Sequence, residues 1–329
     1  YDFIEQPIIK DAENKFLELF DHSSNWEDLG IGIAKIFEKL PDNHLRVNKF
    51  THLVKKKLPN RRVSDIGDNI ASNETDKPFK IEFKKVNNKT FGILGITKFP
   101  GSRSIKWDGF EIAVNKLKSA DTIVIDLRGN GGGDLAKGQV LGSILKGKYI
   151  HLAEYGMDHQ RNSVEAATLM LNKLSLLNHE HQGAWGNFVN IYNNLLNKLS
   201  SNDVVPHKKY YSGYQKYLKK ATSDNQEYNN PFKGKIYIIA DSRCGSSGER
   251  TLKLLQTIFS NVEVVGQNTR GNTHFGNPGL LLLPNSKIQV HMGTMYMKFK
   301  DGHFVEKIGH QPDHYIPNGK DALDYVLSK

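Results

Sequence analysis

Three short apolar runs limit most of what this chain can become. They are Ile123-Val124-Ile125-Asp126-Leu127, Ile236-Tyr237-Ile238-Ile239-Ala240 and Val262-Glu263-Val264-Val265. Brief, nearly unbroken apolar runs suit strands buried on both faces of a parallel sheet. Between the second and third runs, Leu252, Leu255, Ile258 and Phe259 fall on one helical face of the stretch from Ser247 to Phe259. Strand, loop, helix, strand is a βαβ unit, and the expected fold class is therefore an α/β layered core. Phe91–Ile96 reads as one more strand, followed by a helix carrying Phe110, Ala113, Val114 and Leu117.

The first 40 residues have a different, helical period. Phe16, Leu17 and Phe20 space like one face, and Leu29, Ile33, Ile36, Phe37 and Leu40 like another, until Pro41 and Asp42 break the pattern. A polar, turn-rich stretch over 61–78 reads as a linker or exposed loop. The expected division is an N-terminal helical subdomain over 1–75 and a core over 76–329, with a helix-rich insertion at about 150–230. Leu169, Leu171 and Leu174, then Phe188, Tyr192, Leu195, Leu196 and Leu199 mark that insertion. It reads equally as a lid or as structural decoration.

At 329 residues the chain can bury a core without disulfide or metal staples. A single cysteine, Cys244, excludes an intrachain disulfide and any cysteine-cluster metal site. No run of about 18 apolar residues exists, which excludes a transmembrane helix. The chain opens at Tyr1 without Met or an apolar leader, which fits a removed signal peptide or a trimmed chain.

Basic residues outnumber acidic ones by 45 to 35, a net charge of +10. Lys49–Arg62 carries Lys55, Lys56, Lys57 and Arg61 without an acid. In His207–Lys220 five lysines interleave with Tyr210, Tyr211, Tyr214 and Tyr217. Cations between aromatics can hold nucleic acid or an anionic membrane surface. No nucleic-acid motif accompanies them, so a solvated face is the favoured reading and nucleic acid is not an expected partner.

Two glycine-rich loops follow core strands, where open α/β sheets place their sites. Asp126-Leu127-Arg128-Gly129-Asn130-Gly131-Gly132-Gly133-Asp134 is neither a P-loop nor a dinucleotide fingerprint. Its consecutive glycines let a backbone N–H approach a ligand oxygen, as an oxyanion requires; the bland reading is a plain turn. Asp241-Ser242-Arg243-Cys244-Gly245-Ser246-Ser247-Gly248-Glu249 lies immediately before a helix. A serine there is either a helix cap or a nucleophile whose oxyanion the helix dipole favours. Cys244 is a rival nucleophile, though one cysteine in such a loop reads better as a small packing residue. A serine nucleophile needs a base, and among 13 histidines His44, His274, His291, His303 and His310 are candidates that chemistry alone does not separate.

Taken together, these loops resemble the S41 family of serine peptidases, the C-terminal-processing or tail-specific proteases, whose core is ClpP/crotonase-like. Asp126-Leu127-Arg128-Gly129-Asn130-Gly131-Gly132-Gly133 looks like the family's Asp-Leu-Arg-x-Asn-x-Gly-Gly signature. Gly245-Ser246-Ser247-Gly248-Glu249 looks like its nucleophile segment. Gly266-Gln267-Asn268-Thr269-Arg270-Gly271 and Gly309-His310-Gln311-Pro312-Asp313 follow in the family's order. The chain departs from many members in having no Lys in the loop after Gly266, and Arg270 cannot serve as a base. The interval from His44 to Phe91 is also short for a PDZ domain.

The branch that includes tricorn and the chlamydial protease-like factor uses Ser–His–Glu instead, and Asp42-Asn43-His44 and Glu306-Lys307-Ile308-Gly309 stand where that branch has its His and Glu. The resemblance thus implies Ser246 as nucleophile, His44 as base and Glu306 as its orienting carboxylate. Gly131 or Gly132, with Ser247, would form the oxyanion hole. It implies a peptide or protein substrate, no metal or cofactor, and a secreted, periplasmic or envelope location, with the cytoplasm left open; it leaves the oligomeric state undetermined, a homo-oligomer being one option because both named relatives assemble. The competing readings are an inactive member that holds a peptide or polyanion, and a serine hydrolase acting on a non-protein ester or amide.

Overall fold

The apolar runs become neighbouring strands. A computed structural model describes residues 7–23, 25–47, 77–101, 104–152, 157–159, 164–180, 183, 186–197, 229–283 and 285–329. In chain order its first elements are α1 (Pro7–His22), α2 (Trp26–Lys39), β1 (Arg46–Val47), β2 (Phe79–Val86), β3 (Lys89–Ile96), α3 (Phe110–Leu117), β4 (Thr122–Asp126) and α4 (Ala136–Lys146). Then come β5 (Met157–His159), α5 (Val164–Glu180), α6 (Gly186–Leu196), β6 (Lys235–Ala240) and α7 (Ser247–Ile258). The last are β7 (Val262–Gly266), β8 (Phe275–Leu282), β9 (Gln289–Phe299), β10 (His314–Tyr315) and α8 (Ala322–Leu327). The basic stretches Lys49–Arg62 and His207–Lys220 lie outside the described residues.

The chain divides into two compact units, one of Tyr1–Asn69, His159–His207 and His274–Met297, the other of Ile70–Asp158, Lys208–Thr273 and Lys298–Lys329. The second unit holds a six-stranded sheet in the order β10-β7-β6-β4-β3-β2. All neighbours are parallel except the β2–β3 pair. Register sets Ile123 beside Ile236, and Ile236 beside Val262. Because side chains alternate along a strand, each run feeds two cores. Ile123, Ile125, Ile236 and Ile238 point to one face, against Val114 of α3, Leu141 of α4 and Leu252 and Leu255 of α7. Val124, Tyr237, Ile239 and Val265 point to the other face, with Ala322 and Val326 of α8. Burial on both faces explains why these strands read as continuous apolar runs.

In the first unit α2 lays Leu29, Ile33, Ala34 and Phe37 against Val47 of β1, Val290 of β9 and Ile288 just before β9. Asn25 caps α2 by accepting the Asp28 N–H at 2.9 Å. The inward face of α1 differs from the one its spacing suggested. Ala12, Phe16 and Leu19 turn inward, with the Phe16 ring edge-on to Phe37 at 5.9 Å, while Leu17 and Phe20 are exposed. Ala12, Phe16 and Leu19 follow the i, i+4, i+7 rhythm of one helix face, and Leu17 lies a hundred degrees off it. β1 and β8 flank β9, so Arg46 and Leu280 both stand opposite His291. From α5, Asn172 and Lys173 donate to the Leu280 and Pro278 carbonyls at 3.3 and 2.8 Å.

Burial, with the charges of Arg46 and Lys173 near it, pushes the His291 imidazole from 6.5 down to about 4. The folded chain therefore keeps this ring neutral where the unfolded chain would protonate it. The associated stability is complete above pH 6.5 and is lost as the pH falls toward 4. The urea midpoint should fall across that window by the equivalent of at most about 3 kcal/mol, and His291→Gln should remove that component. Wild-type and variant profiles that run parallel would show that the ring is not held neutral.

Candidate active site

The glycine loop leaves β4 at Asp126 and is laced on every side. The Leu127 N–H continues the ladder to the Ile239 carbonyl at 2.8 Å. Arg128 closes back on the Asp126 carboxylate through Nε and Nη2, at 3.0 and 2.6 Å, and reaches Asp321 at 2.8 Å. Asn130 is fully buried: its Nδ2 donates to the Ile96 carbonyl and its Oδ1 accepts the Gly132 N–H, both at 2.9 Å. Phe99 pairs with the same loop, donating to the Gly132 carbonyl at 2.9 Å and accepting the Asp134 N–H at 2.8 Å. A Cβ at Gly133 (φ +129°) would overlap the Phe99 carbonyl, which leaves glycine as the residue that fits.

The serine loop leaves β6 and is tied to the first. Asp241 Oδ1 accepts N–H groups from Gly129, Arg243 and Cys244 at 2.9 to 3.1 Å. Burial opposes its charge, yet the Gly129 N–H and the Arg243 contacts outweigh burial and hold its pKa below the usual 3.8. The Gly245 N–H donates to the Asn130 carbonyl at 2.8 Å, and Ser247 Oγ to the Gly133 carbonyl at 2.6 Å.

Ser246 is the N-cap residue immediately before α7, with φ 51° and ψ −117°. A residue with a Cβ avoids that conformation unless its surroundings impose it, and such strain gathers at functional positions. Gly132 (φ +103°) lies so near that an added Cβ would stand 2.6 Å from Ser246 Cβ and 2.9 Å from the Ser247 nitrogen. Among the described residues the N–H groups of Gly131 and Ser247 have no acceptor, whereas that of Gly132 is taken by Asn130. A half-buried hydroxyl thus stands at a helix N-terminus, next to the Ser247 N–H and against Gly132.

Glu249 fixes that arrangement. It is fully buried and accepts from Ser246 N at 3.2 Å, Thr269 Oγ1 at 2.5 Å, Gly271 N at 2.6 Å, Asn272 N at 3.0 Å and Thr273 Oγ1 at 2.8 Å. The Ser246 N–H also meets Asn272 Oδ1 at 2.7 Å. One carboxylate therefore joins the start of α7 to the 269–273 loop. That loop reaches Glu306 in turn: the Lys307 N–H donates to the Gly271 carbonyl at 2.7 Å, and the Gly309 N–H to the Val305 carbonyl at 2.8 Å. Glu306 is buried at the head of this turn.

The second unit thus brings Ser246, Gly131, Gly132, Ser247 and Glu306 onto loops that bond to one another. His44 belongs to the first unit. It follows α2, is 8% exposed, and its N–H donates to Asp42 Oδ1 at 2.7 Å. Its Nδ1 lies 3.7 Å from the same oxygen and has no hydrogen bond among the described residues. Asp42 Oδ2 accepts the Gly293 N–H at 3.0 Å, which pins the carboxylate. Of the other histidines, His274 is buried with Nδ1 donating to the Met297 carbonyl at 2.6 Å. Cys244 is fully buried, and burial, with the Glu249, Asp241 and Asp126 charges, raises its thiol well above the usual value, so it is a packing residue. The roles of Asn130, Asp241, Glu249 and Asn272 were not foreseen. For Glu249 a signal existed, since Ser246-x-x-Glu249 before an apolar helix is a capping-box pattern.

An α/β sheet with paired loops at the carboxyl ends of adjacent parallel strands, one ending in a strained serine, defines the class. The sequence profile described as Peptidase family S41 matches residues 90–316, more than half of the chain. The chain belongs to that family, whose members act on peptides or proteins.

Among curated proteins none matches the chain in sequence. A solved structure of a candidate peptidase from Parabacteroides merdae is similar at a TM-score of 0.53 and 13% identity, over 96% of this chain and 84% of that one. A Streptococcus agalactiae lipoprotein aligns at 0.49 and 13% identity, over 99% and 89%. Mature CPAF aligns at 0.46 and 16% identity, over 84% of this chain and 60% of its own length. No helix among the described residues is long and apolar enough to cross a membrane.

Glu249→Ala would take an acceptor from five donors, four of them buried and the fifth, the Ser246 N–H, keeping its bond to Asn272. Chemical denaturation should show a loss of about 3 kcal/mol or more, because bonds to a charged group contribute about 1.5–3 kcal/mol each and do not add fully. A loss under about 1 kcal/mol would mean that the loops hold without the carboxylate.

Proposed function

We propose that this S41 peptidase is a serine peptidase that works through an acyl-enzyme on Ser246. The observation that carries the reading is the strained backbone of Ser246, held against Gly132, with the Gly131 and Ser247 N–H groups lacking acceptors among the described residues. His44 takes the Ser246 hydroxyl proton as Oγ attacks the scissile carbonyl carbon. The carbonyl π pair moves to oxygen, and the N–H groups of Gly131 and Ser247 receive the oxyanion. Gly132, lacking a side chain, lets that loop approach. As the tetrahedral intermediate collapses, the C–N bond breaks and His44 returns the proton to the leaving amine. Water, deprotonated by the same imidazole, then releases the acyl group. Glu306 orients His44 and offsets its positive charge. Burial of Cys244 with a raised thiol pKa supports serine over cysteine as the attacking group.

The test is digestion of a diverse peptide pool, read by mass spectrometry, with wild type, Ser246→Ala, His44→Ala and Glu306→Gln. Cleavage should fall by more than about 10³-fold for the first two, beyond the 10²–10³ that one oxyanion donor supplies. Glu306→Gln, which keeps the shape and removes the charge, should fall less steeply. Cleavage that survives Ser246→Ala would overturn the assignment. Turnover of small esters by the wild type with no peptide cleavage would point to a non-protein substrate.

A further inference from the structure

Ser246 holds its conformation against an intrinsic penalty, so something must impose it. The backbone N–H of Ser246 is shared between Glu249 Oε2, at 3.2 Å, and Asn272 Oδ1, at the shorter 2.7 Å. An N–H can meet only the oxygen of a carboxamide, so the bond fixes which way the Asn272 side chain is turned. Asn272 is itself held from behind, because its own N–H donates to Glu249 Oε2 at 3.0 Å and its side chain is largely buried. Space for the carboxamide comes from Gly245, where an added Cβ would overlap Asn272 Oδ1 and press on Arg270. Three features therefore converge on one small group: a short bond to the strained residue, a buried anchor on the network carboxylate, and a glycine that makes room.

We propose that Asn272 is a positioning residue for the peptidase reaction, its Oδ1 holding the Ser246 backbone in the conformation that presents the hydroxyl for attack. The inference rests on Ser246 being the nucleophile. Asn272 acts through Ser246 and need not touch substrate. Without it, the Ser246 N–H keeps only the longer bond to Glu249, and φ is free to relax toward ordinary negative values. The hydroxyl then swings from its station against Gly132. A displacement of about 1 Å in a reacting group lowers the rate on the order of 10²-fold with little effect on substrate affinity.

The experiment compares wild type, Asn272→Ala, Gly245→Ala and the double variant, with active sites counted by covalent titration with a fluorophosphonate and peptide hydrolysis expressed per titrated site. Counting sites removes any contribution from misfolded protein. For Asn272→Ala the expected result is a kcat per site about 10²-fold below wild type, with KM changed less than threefold. Gly245→Ala, which displaces the carboxamide, should show a similar loss, and adding it to Asn272→Ala should cost little more, since both act on one bond. Asn272→Ala with kcat per site within threefold of wild type would overturn the proposal. So would losses that multiply in the double variant. A wild-type protein with no titratable serine, or one whose activity survives Ser246→Ala, would instead overturn the nucleophile itself.

Discussion

A single buried carboxylate organises the loops of the candidate site. Glu249 gathers donors from the first turn of α7 and from the 269–273 loop, two segments that a strand separates in sequence. A charged acceptor in a low-dielectric interior stabilises strongly only when its hydrogen-bonding capacity is met, and five donors meet it here. The arrangement also sets a direction of dependence. The loop that carries Asn272 is shaped by Glu249, Asn272 holds Ser246, and the carbonyl of Gly271 receives the Lys307 N–H beside Glu306. Strain at Ser246 is thus stored by residues that have no part in bond making or breaking.

The sheet supplies the rigidity that this network presupposes. Asp126 and Ala240 end neighbouring parallel strands, so the glycine loop and the serine loop leave the sheet side by side. Asp241, through its carboxylate, and Asn130, through its backbone carbonyl, then each accept an N–H from the opposite loop. The Gly245–Asn130 contact joins main-chain atoms alone, so its geometry follows from the strand register, whereas the Gly129 contact also needs the Asp241 carboxylate to be turned toward it. Gly132 and Gly133 serve the same end by absence: each stands where a Cβ would strike Ser246 or Phe99.

Much of this was legible in the sequence, for reasons that can be stated residue by residue. The runs at Ile123, Ile236 and Val262 announced strands because burial on both faces admits no polar alternation. The two loops were legible because glycines and serine fell at strand ends. β2 was hidden: Lys80, Glu82, Lys84 and Lys85 make an edge strand read as a polar stretch, although it pairs with β3 along its whole length. The face of α1 was misread because Leu17 and Phe20 are apolar yet exposed, and composition does not say which stripe will find a partner. The role of Asn272 had no local signal, since the bond it makes to Ser246 joins residues 26 positions apart.

The adjacency of β4 and β6 has a consequence for how the chain comes to exist. These strands pair in the middle of the sheet, yet more than a hundred residues, including α4, α5 and α6, lie between them in the chain. Closing a loop of that length costs about 4 kcal/mol in chain entropy before the ladder returns anything. During synthesis at roughly 5–20 residues per second, β4 waits several seconds for its neighbour. For that interval an apolar edge, destined for the centre of the sheet, stands open to solvent and to other chains. The glycine loop that follows β4 waits with it, because Asn130 and Gly129 meet their partners, Gly245 and Asp241, only once β6 has been made. The candidate site is therefore assembled late, only once β6 and the loop that follows it have been made.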